Sequence, residues 1–198
     1  MQKGFTLVEL LIVIAILVVL SVAVVLVLNP AELIKQARDS TRISDFSTLN
    51  SAIALYLSDL TSPNWATTTI RTCTGGTIFP ETTTATSSCS SVAVVAVNGT
   101  GWVSNVEFNK ISVGSPISRL PLDSLNVITG ASCPSVTSTV ATQIGCFYGF
   151  KASSTPGVYK LVANMESNKY RNGGPSDVES KDGGNNDEWY EVGSNLSF

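Results

Sequence analysis

Histidine is absent from this 198-residue chain. That absence removes the Ser-His-Asp and Cys-His nucleophile systems, His-containing zinc sites and the commonest general base near neutral pH. Charge is scarce too, since Asp, Glu, Lys and Arg together make up 14% of the residues. Twelve bases stand against fifteen acids, a formal net charge of −3, and an acidic chain does not advertise binding to nucleic acid or to anionic lipid, so no direct nucleic acid binding is expected. An enzyme built without histidine would need a Ser-Lys or paired-carboxylate centre. The candidate acids are scattered through loops, so no catalytic constellation is present and no enzyme is expected. No C-x-x-C pair occurs among the four cysteines, which removes the usual zinc spacing.

What is present is a long apolar run at the start. Leu10 through Leu28 carries no charge and a single hydroxyl, Ser21. These 19 residues match the roughly 20 that a transmembrane helix needs. The run is longer than the apolar region of a cleaved secretory signal, although "SVA" at 21–23 loosely suits such cleavage. Glu9 stands almost at its front. A carboxylate in the apolar layer costs roughly 2.5–3.5 kcal/mol, so a simple anchor has no use for it, and a partner must be sought.

"KGFTLVELLIVIAIL" supplies that partner through a resemblance. Lys3, Gly4, Phe5, Thr6, Leu7, Val8 and Glu9 match, in order, the N-terminal signature of type IV pilins and type II secretion pseudopilins. The resemblance implies a leader of residues 1–4. A prepilin peptidase would cut between Gly4 and Phe5, and the new amine of Phe5 would be N-methylated. It implies a helix stored in the membrane lipid and then moved by an inner-membrane assembly platform into a filament of identical subunits. The cation for Glu9 would be the Phe5 amine of a neighbouring subunit. Two unit charges about 4 Å apart attract by roughly 4 kcal/mol at an effective dielectric near 20, before desolvation. Burial offsets much of that, so the pair sets register more than it adds stability.

Asn29-Pro30 closes the apolar run, and an amphipathic helix is predicted to follow. Phe46, Leu49, Ile53, Tyr56/Leu57 and Leu60 recur at spacings of three and four. Glu32, Lys35, Arg38, Asp39, Arg42 and Asp45 cover its first half. The residues alone also fit two separate helices; the resemblance implies one bent helix, residues 5–28 in the membrane or filament core and 29–60 backing a head of residues 61–198. Unbroken, it would span about 84 Å.

For the head, "WATTTIRTCTGGTIFPETTTATSSCSS" reads as a Ser/Thr-rich surface loop, with O-glycosylation as a lesser alternative. "NGT" at 98–100 and "NLS" at 195–197 fit a three-letter glycosylation pattern. Residues 91–97 read as a buried strand, and 146–151, 158–166 and 188–193 as further strands, with Tyr159, Leu161, Ala163 and Met165 on one side. The expected class is α+β: the pilin fold, a long N-terminal helix packed on a small antiparallel sheet. "LPLDSLN" at 120–126 resembles a Leu-Pro-x-Asp-Pro-x-Asn element of the family, with Ser124 in place of proline.

An even cysteine count in an exported head points to two disulfides. Cys73–Cys89 with Cys133–Cys146 is preferred, because each closes a local loop contributing about 3 kcal/mol. Residues 166–198 hold seven acids and three bases. There Asp177, Asp182, Asn186 and Asp187 offer oxygen ligands to calcium beside Gly183-Gly184, as in a comparably placed loop of related pseudopilins. The strict calcium-loop pattern is missing, so a hydrated acidic loop is the first expectation and no cofactor is required. The function expected is a structural filament subunit. The alternatives are a secretion pseudopilin, which would stay within the envelope, or a minor tip subunit acting as an adhesin.

Overall fold

The structure is a computed structural model and describes residues 4–75, 79, 89–126, 135–137 and 142–197. Two helices lead. α1 runs Leu7–Leu28 and α2 runs Pro30–Asp59. They are separated by one residue: Asn29 adopts the left-handed conformation (φ 40°, ψ 75°). The predicted bend is therefore an interruption at a single residue. Asparagine tolerates that conformation, and Pro30, which has no N–H to leave unpaired, sits at the first position of the new helix. The Asn29 side chain then accepts the Glu32 amide at 3.4 Å.

α2 buries one stripe: Asp39, Arg42, Phe46, Leu49, Ile53 and Tyr56, with Ala52 beside it. The apolar half of this stripe follows the predicted spacing. Its lower two members are charged and equally buried, so those charges do not form a solvated face.

The head carries a five-stranded sheet in the order β2-β1-β5-β6-β7. Its strands are β1 (Ile70–Cys73), β2 (Ser90–Ser91), β5 (Tyr148–Ala152), β6 (Tyr159–Ala163) and β7 (Tyr190–Gly193). A separate hairpin pairs β3 (Ser135–Thr137) with β4 (Thr142–Ile144). The main sheet is mixed, because β2 runs parallel to β1, while the other three pairings are antiparallel. The expectation of a wholly antiparallel sheet is corrected on that one edge.

Two further sequence readings are corrected. The Ser/Thr-rich stretch contains β1, which pairs with β5 from Ile70↔Ala152 to Cys73↔Gly149 and so lies inside the sheet. Most of the remainder of that stretch lies outside the described residues. Residues 92–97 do not form the predicted strand. Their backbone groups are shared among several partners: Val92 N–H donates to Cys73 O, Val94 O accepts from Trp102, and Val95 O accepts from Leu120. The valines still pack, with Val92, Val95 and Val97 against the core, but a segment bonded to three neighbours in turn builds no ladder.

The main core lies between α2 and the sheet. Phe46, Leu49, Ile53 and Tyr56 meet Tyr148, Phe150, Tyr159, Leu161 and Ala163, closed at one end by Trp102, Phe108 and Leu120. Phe46 packs edge-on to Tyr148 with centroids 5.0 Å apart. A second cluster, Cys73, Phe79, Cys89, Phe147, Val162 and Trp189, covers the opposite face. Both faces of β5 and β6 are therefore buried. A side chain at Gly149 would meet Val162 at 2.6 Å and the Phe79 ring at 3.0 Å, so only glycine lets the second cluster close.

Candidate functional site

Among the described residues, α1 contributes nothing to either core. Its window Leu7–Val24 is long and apolar enough to cross a membrane and is wholly unburied. Phe5 precedes it, 86% exposed. An apolar helix of this length cannot stay bare in water, so its environment must be lipid or other helices. Ser21, its one hydroxyl, donates to Leu17 O at 2.7 Å and so needs no outside partner.

The first turn of α1 is closed by a reciprocal cap. Thr6 is the N-cap, and its Oγ1 accepts the Glu9 amide at 3.3 Å. Glu9 Oε2 accepts the Thr6 amide at 2.9 Å and the Thr6 hydroxyl at 2.8 Å. In the single chain, then, Glu9 is held within its own helix. The Thr-x-x-Glu spacing before an apolar run is a capping-box signature that could have been read from the sequence. Gly4 and Phe5 lie just outside this cap, exposed and accessible.

A family model describing the prokaryotic N-terminal methylation motif matches residues 1–25. The chain begins with a prepilin motif. No curated protein and no solved structure matches the chain. The prepilin motif supports a precursor of the type IV pilin-like or pseudopilin kind, and the α+β architecture agrees with it. The motif implies processing by a prepilin peptidase and assembly into a pilus or pseudopilus, and the apolar helix fits insertion into a membrane beforehand.

Behind the prepilin motif, the head is fastened to α2 by a buried ionic cluster. Arg42 Nε reaches Asp123 Oδ2 at 2.5 Å, Nη1 reaches Asp39 Oδ1 at 2.6 Å, and Nη2 reaches Glu166 Oε1 at 2.6 Å. Arg38 grips Glu166 from the other side at 2.9 and 2.5 Å. Asp39 also accepts the amides of Glu166 and Ser167, and Asp123 those of Leu125 and Asn126. Burial opposes the Arg42 charge, but Asp123, Glu166 and Asp39 more than offset it, and its pKa is raised. This gives "LPLDSLN" a physical role, because Asp123 ties that segment to the helix. The cluster is structural, with every carboxylate committed to a cation or a backbone amide.

The acidic C-terminal stretch is organised in two separate turns. Asp177 accepts from the amides of Gly173, Glu179 and Ser180 and from the Ser180 hydroxyl. Burial raises its pKa, but the hydrogen bonds, led by those from Ser180, outweigh that and hold it at about 2. Asp182 instead accepts from Gly184 and Glu191, and burial, aided by the Glu191 charge, pushes it up to about 6. Asn186 Oδ1 accepts the Glu188 amide, and Asp187 is exposed. Among the described residues, no three Asp, Glu, His or Cys side chains gather as a metal site. A cation does stand in the second turn: buried Lys160 reaches Glu191 Oε1 at 2.7 Å, and Asn185 Oδ1 and Leu196 O at 3.1 Å. Nothing in the sequence pattern marked Lys160 or Glu191 as buried.

Cys73 and Cys89 form the expected disulfide, 16 residues apart, joining β1 to the residue before β2. Cys146 is also disulfide-bonded, while Cys133 lies outside the described residues.

Proposed function

We propose that this chain is a structural subunit of a type IV pilus-like filament, cut between Gly4 and Phe5 and assembled through α1. One observation carries the reading: the prepilin motif opens an apolar helix whose window Leu7–Val24 the head leaves uncovered. Lipid covers it first. In the filament, the equivalent helices of sister subunits replace that lipid. Subunits joined by such head-to-tail contacts do not close into a ring, so they extend as a helix. Glu9 gives the array its register. Cleavage frees the Phe5 amine, methylation leaves its charge in place, and a neighbouring Glu9 supplies the opposite charge. The role is structural rather than enzymatic, and no cofactor enters it.

Mass spectrometry of the N-terminal peptide from sheared surface filaments tests this. The expected peptide begins with N-methylated Phe5 and dominates the preparation. Filaments lacking the chain, or a mature form that retains Met1, would overturn the reading.

A further inference from the structure

The chain is acidic overall, yet its bases are not evenly spread. Two of the three in residues 166–198 lie in one short loop, "NKYRN" at 168–172. That loop is pinned at the membrane end of α2. The Asn168 amide donates to Glu32 Oε1 at 2.6 Å, and Tyr170 Oη lies 3.4 Å from Ser40 Oγ. Glu32 is four residues beyond the end of α1, so at most about 14 Å of chain separates it from Leu28, however the two helices meet at Asn29.

The loop's surface is cationic and aromatic. Arg171 is exposed, and Lys169 lies over the Tyr170 ring at 4.7 Å. Lys35 follows Glu32 by three residues, on the same face of α2. The nearby acids are turned towards the loop's backbone: Glu32 to Asn168, Glu179 to the Asn172 amide at 2.8 Å and Asp177 to the Gly173 amide at 3.0 Å. Leu33 and Ile34, 49% and 56% exposed, add apolar surface in the first turns of α2. Cations, a tyrosine and exposed aliphatics beside the end of a membrane helix are the chemistry of a bilayer interface.

We propose that the 168–172 loop, with Lys35, is a headgroup-binding surface that seats the head on an anionic phospholipid leaflet while the subunit is stored in the membrane. The inference rests on the membrane-inserted state in the proposed function. It adds the partner, lipid phosphate, and the residues that meet it. Each cation near such a surface strengthens contact roughly fivefold. The contact is electrostatic and weakens with salt, because the screening length falls to about 3 Å at 1 M.

The test uses the full chain in two sets of nanodiscs, one of phosphatidylcholine alone and one containing phosphatidylglycerol, with acetylation of lysines by an N-hydroxysuccinimide ester read by mass spectrometry. Lys110 is the internal reference. Its side chain is 59% exposed, and its segment is bonded through Ser112 to Asp59, about 40 Å along α2 from Glu32. The expected result is that Lys169 is modified several-fold more slowly in the anionic discs, that 1 M salt or Arg171→Gln narrows the gap, and that Lys110 is modified equally in both. Equal modification of Lys169 in the two discs overturns the headgroup surface while leaving insertion intact. A chain that elutes apart from both discs instead sinks the membrane-stored state and this inference with it.

Discussion

Glu9 is held by Thr6 in the single chain, and in the proposed assembly it would exchange that partner for the Phe5 amine of a neighbour; the two roles can be separated by substitution. Glu9→Gln keeps an acceptor for the Thr6 cap but removes the charge. Circular dichroism in detergent is expected to show an unchanged helix, cleavage after Gly4 is expected to proceed, and filament yield is expected to collapse. A normal yield would deny the carboxylate its role in register. Arg42 is the second residue with a large predicted effect. Arg42→Ala would strand Asp39, Asp123 and Glu166 in the interior, and urea denaturation should show a loss of about 3–5 kcal/mol. Glu179 gives the head a pH dependence. Burial raises its pKa to about 8 from an ordinary 4.5, with the charges of Asp39 and Asp177 adding to the effect. Between those values the folded head holds a proton that the unfolded chain has lost, so stability falls as pH rises. Thermal unfolding should therefore shift to lower temperature from pH 5 to pH 8, at about 1.4 kcal/mol per pH unit at most, and Glu179→Gln should flatten the slope. Asp182 adds a shallower fall of the same sign below about pH 6.

Among the elements, α2 was half legible. Phe46, Leu49, Ile53 and Tyr56 announce themselves by spacing and chemistry together. Asp39 and Arg42 have the spacing without the chemistry, and only their partners, 81 to 128 positions away in sequence, make their burial tolerable. Such pairing is invisible to a local pattern. β1 was missed for a related reason. Ile-Arg-Thr-Cys is too short and polar to stand out among threonines, and it is recruited by its pairing with β5, distant in sequence. Residues 92–97 erred the other way: their valines have strand composition, but tertiary hydrogen bonds divided the segment. The prepilin motif needed no tertiary information, since it is contiguous and the head does not touch it. The Cys73–Cys89 bridge is an element-scale staple holding the two-residue β2 against β1. Replacing both cysteines by serine should lower stability by about 3 kcal/mol, read by denaturant midpoint, and should expose the β1 edge.

At the scale of the molecule, the two bodies of residues have different stabilities to answer for. The head has cores on both faces of its sheet, a disulfide and a buried ionic cluster, so its folding does not depend on α1. α1 has only its own hydrogen bonds and whatever surrounds it. The mature chain should accordingly show two separable transitions: a cooperative head unfolding, and a helix that persists in detergent after the head is lost. Circular dichroism for α1 and tryptophan fluorescence for Trp65, Trp102 and Trp189, all in the head cores, would follow them independently.

In the proposed filament, the reciprocal clasp between Thr6 and Glu9 would bear on how the polymer is made and unmade. A subunit joining its sisters in that way would not rescue a naked acid. It would trade one set of donors for another, and the net gain of an exchange is small beside the gross strength of either bond. Ends held by small net gains can shed subunits almost as readily as they accept them, which leaves the direction of growth or withdrawal to whatever force acts at the base.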